Sequence, residues 1–202
     1  MGFCTDQTSK AACRSRRRRA EKVYKKNRRI LGRLPKGWTV VCQDESIFVY
    51  DCVIRSVWAL KGSKPIAKIT GSHRMTFVFG ALSLDGRQLF RQYPTMDGDD
   101  FLNFLKCVKR KFKRFVFFYD GAPWHTAGQI DAFFNENKRC ILPIRFPKCS
   151  PEFNPVEECW RQGQDDLVGS ILPETFDDLM QNISRYYRTK RFKLDIVKYL
   201  CH

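Results

Sequence analysis

Long apolar runs are absent from this sequence, and none approaches the roughly 18 residues that a membrane-spanning helix requires. The first six residues, MGFCTD, also lack the apolar segment of a secretory signal. Position 2 is glycine, but Asp6 stands where a myristoylation signal has serine or threonine. We therefore expect a chain that is neither secreted nor anchored in a membrane.

Metal-binding patterns of sulfur and nitrogen ligands are lacking as well. The nine cysteines form no Cys-x-x-Cys pair, and their number is odd. The three histidines, His73, His125 and His202, are too dispersed to complete a zinc site with them. This pattern favours reduced thiols in a cytosolic compartment and gives no indication of a structural zinc ion.

Apolar residues are nevertheless abundant enough for a folded core. They make up 43% of the 202 residues, and phenylalanine alone occurs 17 times. Such a composition excludes a chain that is disordered throughout, and the length suits one domain with an appendage. No internal repeat is visible in the sequence.

Acidic residues are scarce in the first 40 positions, which hold 13 Lys and Arg against 2 Asp and Glu. This segment accounts for +11 of the net charge of +16. A basic segment of this kind usually meets nucleic-acid phosphates, although a solvated tail is an alternative. Its small apolar face argues against a helix that lies on a membrane. The candidates for DNA contact are Arg16, Arg17, Arg18, Arg19, Lys25, Lys26, Arg28 and Arg29.

Composition divides the chain into three parts. Residues 1–36 are predicted to form a basic arm or linker, with a helix over 20–34 that ends at the Pro-Lys-Gly of 35–37. Residues 37–172 are predicted to form the globular domain. Residues 173–202 are predicted to add a basic C-terminal helix that packs on the same domain.

Two short apolar segments each end at an acidic residue. Residues 115–119 (FVFFY) have the length and the lack of alternation of a buried central strand, and Asp120 follows them directly. Residues 39–43 (TVVCQ) form a shorter predicted strand that ends at Asp44. If the two strands lie side by side and parallel, both carboxylates emerge at one edge of the sheet, where α/β proteins build their sites.

The remaining pattern predicts an α/β domain. Asp85-Gly86 separates two strand-like segments, as in a β-hairpin, and helix-like segments flank the strand at 115–119. Helical crossovers on both sides of that strand imply a mixed sheet with parallel central strands. Pro143 places a last strand at a sheet edge. The predicted strands are 75–82, 88–93 and 140–146, and the predicted helices begin near 97, at a capping box of Thr126 and Gln129, at 156 and after 173.

A third acidic side chain would complete a site for a divalent cation. Glu157 is the strongest candidate, because Asn154 is suited to cap a helix and Pro155 to occupy its first position. The apolar residues that follow recur at the spacing of a buried helix face, which places Glu157 at the margin of that face. An equally supported alternative is that Glu157 only completes a capping box with Asn154.

Three blocks of the sequence contain these acids. The blocks are DES at 44–46 with WA at 58–59 and KGS at 61–63, DGAPWH at 120–125, and SPEFNPVE at 150–157 with Trp160. Together they resemble the catalytic domain of mariner-type DDE transposases and of the related bacterial and archaeal insertion-sequence enzymes. The resemblance covers about residues 38–170, and it implies a ribonuclease-H-like fold with a mixed five-stranded sheet flanked by helices.

The resemblance also implies two Mg²⁺ or Mn²⁺ ions held by Asp44, Asp120 and Glu157. Carboxylates without cysteine or histidine ligands suit these ions rather than zinc. The expected arrangement has Asp44 and Asp120 sharing one ion, while Glu157 holds the other with Asp44. Water would then cleave the transposon end, and the freed 3′-hydroxyl would attack the target DNA.

The chain departs from the family in two places. Gly121 follows the second acid, where family members usually have asparagine, and FPKC at 146–149 is less regular than the usual proline-aromatic pattern. Helix-turn-helix modules usually precede the family's catalytic domain, and the basic arm is too short to hold one with a linker. This favours either a separately encoded helix-turn-helix subunit or a truncated remnant.

The expected partners are DNA at the transposon ends and at the target, and a second copy of the chain in a homodimer. The expected location is the cytoplasm or nucleoid of a prokaryote, or the nucleus of a eukaryote. Two other functions stay open from the sequence. One is an inactive remnant that only binds DNA, and the other is a ribonuclease-H-like nuclease acting on RNA or hybrid duplexes.

Several residues near these blocks have two open interpretations. His125 is a candidate contact for DNA or the scissile phosphate, or else a histidine that is hydrogen-bonded to orient the turn after Pro123. Glu45 and Glu158 are expected to lie on other faces and not to bind metal. The basic segment 106–114 either lines DNA or is only solvated.

Overall fold

The computed structural model describes residues 20–51, 71–147, 150–168 and 173–201. The arginines at 16–19 and the residues 58–63 of the first sequence block therefore lie outside the described residues. None of the helices in the described part of the chain is long and apolar enough to cross a bilayer.

Five strands form one mixed sheet in the order β3-β2-β1-β4-β5. The first three strands in this order pair antiparallel, whereas β4 and β5 run parallel to β1. This arrangement confirms the predicted mixed sheet, with β5 and its proline at an edge. The strands are β1 (Thr39–Val49), β2 (Met75–Ser83), β3 (Gln88–Tyr93), β4 (Phe115–Tyr119) and β5 (Ile141–Arg145).

Helices cover both faces of the sheet. A helix at 20–31, here α1, precedes β1, and the two crossovers that enclose β4 are α2 and α3. Single 3₁₀ turns at Pro123–Thr126 and Pro151–Phe153 precede α3 and α4. The other helices are α2 (Gly98–Phe112), α3 (Gly128–Glu136), α4 (Val156–Val168), α5 (Phe176–Thr189) and α6 (Ile196–Cys201).

Alternation along the strands divides the core into two apolar clusters. On one side, α2 and α3 pack against residues such as Val41 and Phe117, and we call this side the α2 face. On the other side, α4, α5 and α6 pack against residues such as Val40 and Phe118, with α1 at the margin, and we call it the α4 face. Because β4 is buried on both sides, its residues show no alternation of polarity.

Strand β1 is longer than the sequence predicted. It was expected to end before Asp44, but it continues to Val49 because β2 supplies an antiparallel partner along the whole segment. Its pairing with β4 ends at Cys42 opposite Phe118. Asp44 therefore lies within a strand, two residues beyond the last residue of β1 that pairs with β4.

The turns and caps agree with the sequence at two places and differ at a third. Gly86 has a φ of 81° in the predicted hairpin, and Asp97 caps α2 by accepting hydrogen bonds from two backbone N–H groups. The predicted capping box of Thr126 and Gln129 was wrong. Thr126 lies in the 3₁₀ turn and donates to the Pro123 carbonyl, since the chain makes an extra turn before α3 begins.

Candidate active site

Asp44 lies on the α4 face of the sheet, beside the start of α4. The indole Nε1 of Trp160 donates a hydrogen bond to its Oδ2 at 2.8 Å. The indole reaches this position because Gly80 is the residue opposite Asp44 in β2. A Cβ atom on Gly80 would lie 2.7 Å from the rings of Phe90 and Trp160. The absence of a side chain at Gly80 therefore leaves room for the indole to cross the strand.

Asp120 follows the last residue of β4, at the open edge of the sheet. Its Oδ1 accepts a hydrogen bond from the backbone N–H of Ala122 at 3.1 Å. The same oxygen lies 2.7 Å from Nδ1 of His125. About half of the Asp120 side chain remains exposed (49%), so the carboxylate is held on one side and open on the other.

Glu157 lies in the first turn of α4, where Asn154 ties the helix to β1. The Asn154 side chain accepts from the N–H of Val156 at 3.2 Å and donates to the carbonyl of Gln43 at 3.1 Å. The Asn154 backbone N–H donates to Pro151, so it is not available for a capping box with Glu157. Asn154 thus places Glu157 beside Asp44 through a buried link to the preceding residue of β1.

The three acids line one cavity of about 340 Å³, together with residues of the turns after β4 and before α4. Burial raises the pKa of Asp44 well above its ordinary value, and the charges of Glu157 and Glu45 raise it further. Burial and the charge of Asp120 raise the pKa of Glu157. For both carboxylates, burial and neighbouring negative charges therefore disfavour the ionised form.

Asp120 has the opposite electrostatic environment. Burial acts to raise its pKa, but the hydrogen bond and the charge of His125 outweigh burial, and the pKa is lowered. His125 is in turn bonded through Nε2 to Oε1 of Glu45 at 2.8 Å. Burial acts to lower the pKa of His125, yet its bonds to Asp120 and Glu45 raise it to about 9.

Glu45 is a residue that the sequence interpretation missed. It was expected to lie on a different face from the metal site, and its backbone does place it on the α2 face. Its role was not expected: only 4% of its side chain is exposed, and the carboxylate binds His125. The signal was present in the sequence. If the strand continues beyond Asp44, neighbouring residues alternate between faces, and an acid on the buried α2 face needs a partner such as His125.

His125 has no exposed surface in this structure, and its ring centroid lies 3.9 Å from that of Phe101. Both ring nitrogens are hydrogen-bonded, which leaves no group to contact DNA. The structure therefore favours the alternative in which His125 orients the turn after Pro123. Glu158, the other acidic neighbour, pairs with Arg161 at 2.6 Å on the surface, and this partner lowers the pKa of Glu158 to about 2.

The basic candidates of the arm fall into three groups. Arg16, Arg17, Arg18 and Arg19 lie outside the described residues. Lys25, Lys26 and Arg29 are exposed on α1. The Arg28 guanidinium donates twice to the carbonyl of Cys201, at 2.9 and 2.7 Å, so it fastens α1 to the end of α6.

The fold and the sequence were compared with known proteins. A Mos1 mariner paired-end complex with Mg aligns at a TM-score of 0.66 and 13% identity, covering 91% of this chain and 58% of that chain. The Mos1 catalytic domain aligns at 0.58 and 13% identity, covering 90% and 85%. A Mos1 paired-end complex with the left transposon end aligns at 0.62 and 12% identity, covering 90% and 56%.

These likenesses show the fold, and they confirm the predicted ribonuclease-H-like architecture. This chain spans slightly more than half the length of the transposase chains in the two paired-end complexes. The comparison with curated proteins yields no match. A family model described as DDE superfamily endonuclease matches residues 39–180, which is more than half of the chain, and the chain therefore belongs to the DDE superfamily endonucleases.

Proposed function

We propose that this chain is the catalytic domain of a DNA transposase, which cleaves transposon ends and joins the freed 3′-hydroxyl to target DNA. The observation that supports this most strongly is the convergence of Asp44, Asp120 and Glu157 on one cavity in a DDE endonuclease chain. The three side chains come from a strand, the end of the adjacent strand and the start of a helix, which is why they are far apart in sequence.

The carboxylate oxygens that line the cavity are the kind of ligand that divalent cations such as Mg²⁺ prefer. Each aspartate has one oxygen engaged by a protein donor, Oδ2 of Asp44 by Trp160 and Oδ1 of Asp120 by His125. No donor in the described part of the chain reaches the other oxygen of either aspartate, which could therefore bind a cation, and Glu157 adds a third carboxylate. Related Mos1 complexes contain Mg or Mn. We propose Mg²⁺ or Mn²⁺ here, and two ions rather than one, because in-line cleavage benefits from a cation at both the attacking and the leaving oxygen.

The protein's own residues would prepare the reaction by fixing the carboxylates. Trp160 and His125 hold the aspartates from opposite faces of the sheet, so that the carboxylates do not turn away from the cavity. When bound, the ions would lower the pKa of the attacking water and neutralise charge on the phosphate. The repulsion that raises the pKa of Asp44 and Glu157 would then be relieved.

DNA is the proposed partner at the transposon end and at the target. The exposed Lys25, Lys26 and Arg29 of α1 supply basic charge in the described residues, and the run at 16–19 adds four arginines in the sequence. The Mos1 relatives were determined with a transposon end and as a strand transfer complex. We further propose a homodimer, a separately encoded helix-turn-helix subunit, and a location in the cytoplasm or nucleoid of a prokaryote or in the nucleus of a eukaryote.

A nicking assay tests the proposal directly. The full chain would be incubated with Mg²⁺ or Mn²⁺ and a duplex that carries the element's own terminal repeats, and with an RNA–DNA hybrid of the same sequence. We expect metal-dependent cleavage of the DNA duplex, and about a thousandfold loss in Glu157→Gln, equivalent to about 4 kcal/mol of transition-state stabilisation. Glu158→Gln, at the surface pair with Arg161, serves as the matched control and should cleave normally.

The outcomes separate the alternatives. Cleavage that persists in Glu157→Gln would remove this cavity from the mechanism. Cleavage of the hybrid alone would favour a ribonuclease-H-like nuclease. DNA binding without cleavage in either metal would indicate a remnant that has kept only its basic surface.

A further inference from the structure

Two neighbouring acids in β1, Asp44 and Glu45, lie on opposite faces of the sheet. Asp44 lies on the α4 face with Trp160, whereas Glu45 pairs in register with Phe79, a residue of the α2-face core. Residues that follow each other in a strand point to opposite sides, so Glu45 cannot line the cavity that Asp44 lines. Its buried carboxylate therefore requires a different explanation from that of the three cavity acids.

We propose that Glu45 and His125 act as positioning residues for Asp120, by locking the one carboxylate oxygen that must not bind metal. The inference rests on the proposed function, since it assigns a role relative to the same cation site. It adds two residues, neither of them a proposed ligand, to the machinery of that site.

The contacts around the imidazole support a rigid link. Nδ1 lies 2.7 Å from Oδ1 of Asp120 and 3.2 Å from the Asp120 backbone carbonyl oxygen, and Nε2 lies 2.8 Å from Oε1 of Glu45, so both ring nitrogens are engaged at once. The ring also packs against Phe101 and Tyr119 and has no exposed surface. A ring held at both nitrogens and on its face cannot rotate without breaking these contacts.

The link fixes which oxygen of Asp120 is free. Oδ1 accepts from the backbone N–H of Ala122 and lies 2.7 Å from Nδ1 of His125, whereas no donor among the described residues reaches Oδ2. Glu45 is needed at the far nitrogen, because a buried N–H without an acceptor would favour a different ring position. Outer carboxylates that orient a histidine are common around metal sites, and here the histidine passes that orientation on to a carboxylate.

An ion held by Glu45, Asp120 and His125 themselves is the competing explanation. Their ligand atoms all lie within 4.8 Å of one another, and no other such set of three occurs in the described part of the chain. The two nitrogens of an imidazole point away from each other, however, so one ion cannot replace both hydrogen bonds.

Mn²⁺ binding to the full chain without DNA tests the proposal, with free Mn²⁺ measured by electron paramagnetic resonance. We expect Glu45→Gln to weaken Mn²⁺ binding about tenfold, within the 10- to 100-fold range typical of outer residues at metal sites. Glu158→Gln removes an acid from the surface of α4 and should change the affinity less than twofold. Circular dichroism and the thermal midpoint would establish that each variant is folded.

Two substitutions of His125 distinguish positioning from packing. The amide nitrogen of an asparagine falls near the place of Nδ1, whereas that of a glutamine falls near Nε2. His125→Asn should therefore keep a donor to Asp120 and bind Mn²⁺ at least threefold more tightly than His125→Gln. Both variants lose the ring against Phe101, so equal affinities would mean that the histidine only packs, and the proposal would fail.

The proposal and the proposed function can fail separately. Loss of Mn²⁺ binding in Asp120→Asn with wild-type affinity in Glu45→Gln would overturn the positioning role and leave the active site intact. Unchanged affinity in both Asp44→Asn and Asp120→Asn would remove the cation site itself. If Glu45→Gln loses Mn²⁺ binding while Asp44→Asn keeps it, the ion lies instead at the competing cluster of Glu45, Asp120 and His125. That result would overturn the proposal.

Discussion

Asp44 and Asp120 lie at the same edge of the sheet, but their surroundings shift their pKa values in opposite directions. Asp44 is inside a strand, and burial and neighbouring acids raise its pKa, with only a neutral indole as a donor. Asp120 is beyond a strand end and half exposed, and His125 lowers its pKa. The surroundings of Asp44 therefore disfavour its ionised form, whereas those of Asp120 favour it.

This difference teaches how a fold accommodates three carboxylates in one cavity. Three ionised carboxylates in one cavity would repel each other, so the fold supplies a positive partner to one of them from the opposite face of the sheet. A cation bound at the proposed site would relieve the repulsion that raises the pKa values of Asp44 and Glu157.

Replacing each aspartate by its isosteric amide should have the largest effects and tests this difference most directly. Asp44→Asn and Asp120→Asn should each reduce metal-dependent nicking about a thousandfold, or about 4 kcal/mol, because each removes a proposed ligand. In the metal-free protein their effects should differ in sign. Asp44→Asn should raise the free energy of unfolding by about 1 kcal/mol, since it removes a buried charge among like charges.

Asp120→Asn should instead lower the free energy of unfolding by about 1 kcal/mol. It removes the anion that binds buried His125, and solvent screening of the half-exposed side chain limits the loss. Urea unfolding with a chelator present would measure both values. Equal changes in the free energy of unfolding, in the same direction for both variants, would contradict the proposed difference between the surroundings of Asp44 and those of Asp120.

Alkaline pH should weaken the Asp120 half selectively. The pKa of His125 is raised from 6.5 to about 9, so its contribution to stability is complete below pH 6.5 and is lost as the pH rises through about 9. We expect the metal-free protein to lose up to about 3 kcal/mol over this range. Urea unfolding at several pH values should show this slope in the wild type and a flatter one in His125→Asn.

The exposed His73 provides a matched control for that measurement. His73→Asn should keep the wild-type slope, since its side chain is on the surface. A slope that persists in His125→Asn would show that another group is responsible for the pH dependence.

Gly80→Ala should disturb the Asp44 half and spare the Asp120 half. The added Cβ would lie 2.7 Å from the rings of Phe90 and Trp160, so the indole must move away from Asp44. Overpacking of this kind costs about 2 kcal/mol in the free energy of unfolding, which thermal denaturation would detect. Gly128→Ala, where the new methyl group meets open space, should leave the stability within about 0.5 kcal/mol of the wild type.

Much of the fold could be predicted because the deciding signals are local. The unbroken apolar run of β4, the hairpin at Asp85-Gly86 and the start of α4 at Val156 are all where the sequence indicated. Each depends on nearby residues: burial on both faces, a turn that needs a positive φ, and an asparagine followed by proline. The three cavity acids were named from the same local signals and from the resemblance.

The end of β1 could not be predicted in this way. Asp-Glu-Ser looks like the polar end of a strand, but whether a strand continues depends on hydrogen bonds from its neighbour, and β2 begins 26 residues further along the chain. Because the predicted strand ended at Asp44, the alternation of side chains along a strand could not be used to assign Glu45 to the other face. The contact of α1 with α6, which joins residues 173 positions apart, was missed for a similar reason.

The sequence by itself determined the sheet, its crossovers and the acids at its edge, because strand length, periodicity and turn residues act over a few positions. Only the tertiary structure decided how each acid is charged. That depends on which side chain from a distant element lies within hydrogen-bonding distance: Trp160 for Asp44, and His125 with Glu45 for Asp120. Such partners are brought together by packing across the two faces of the sheet.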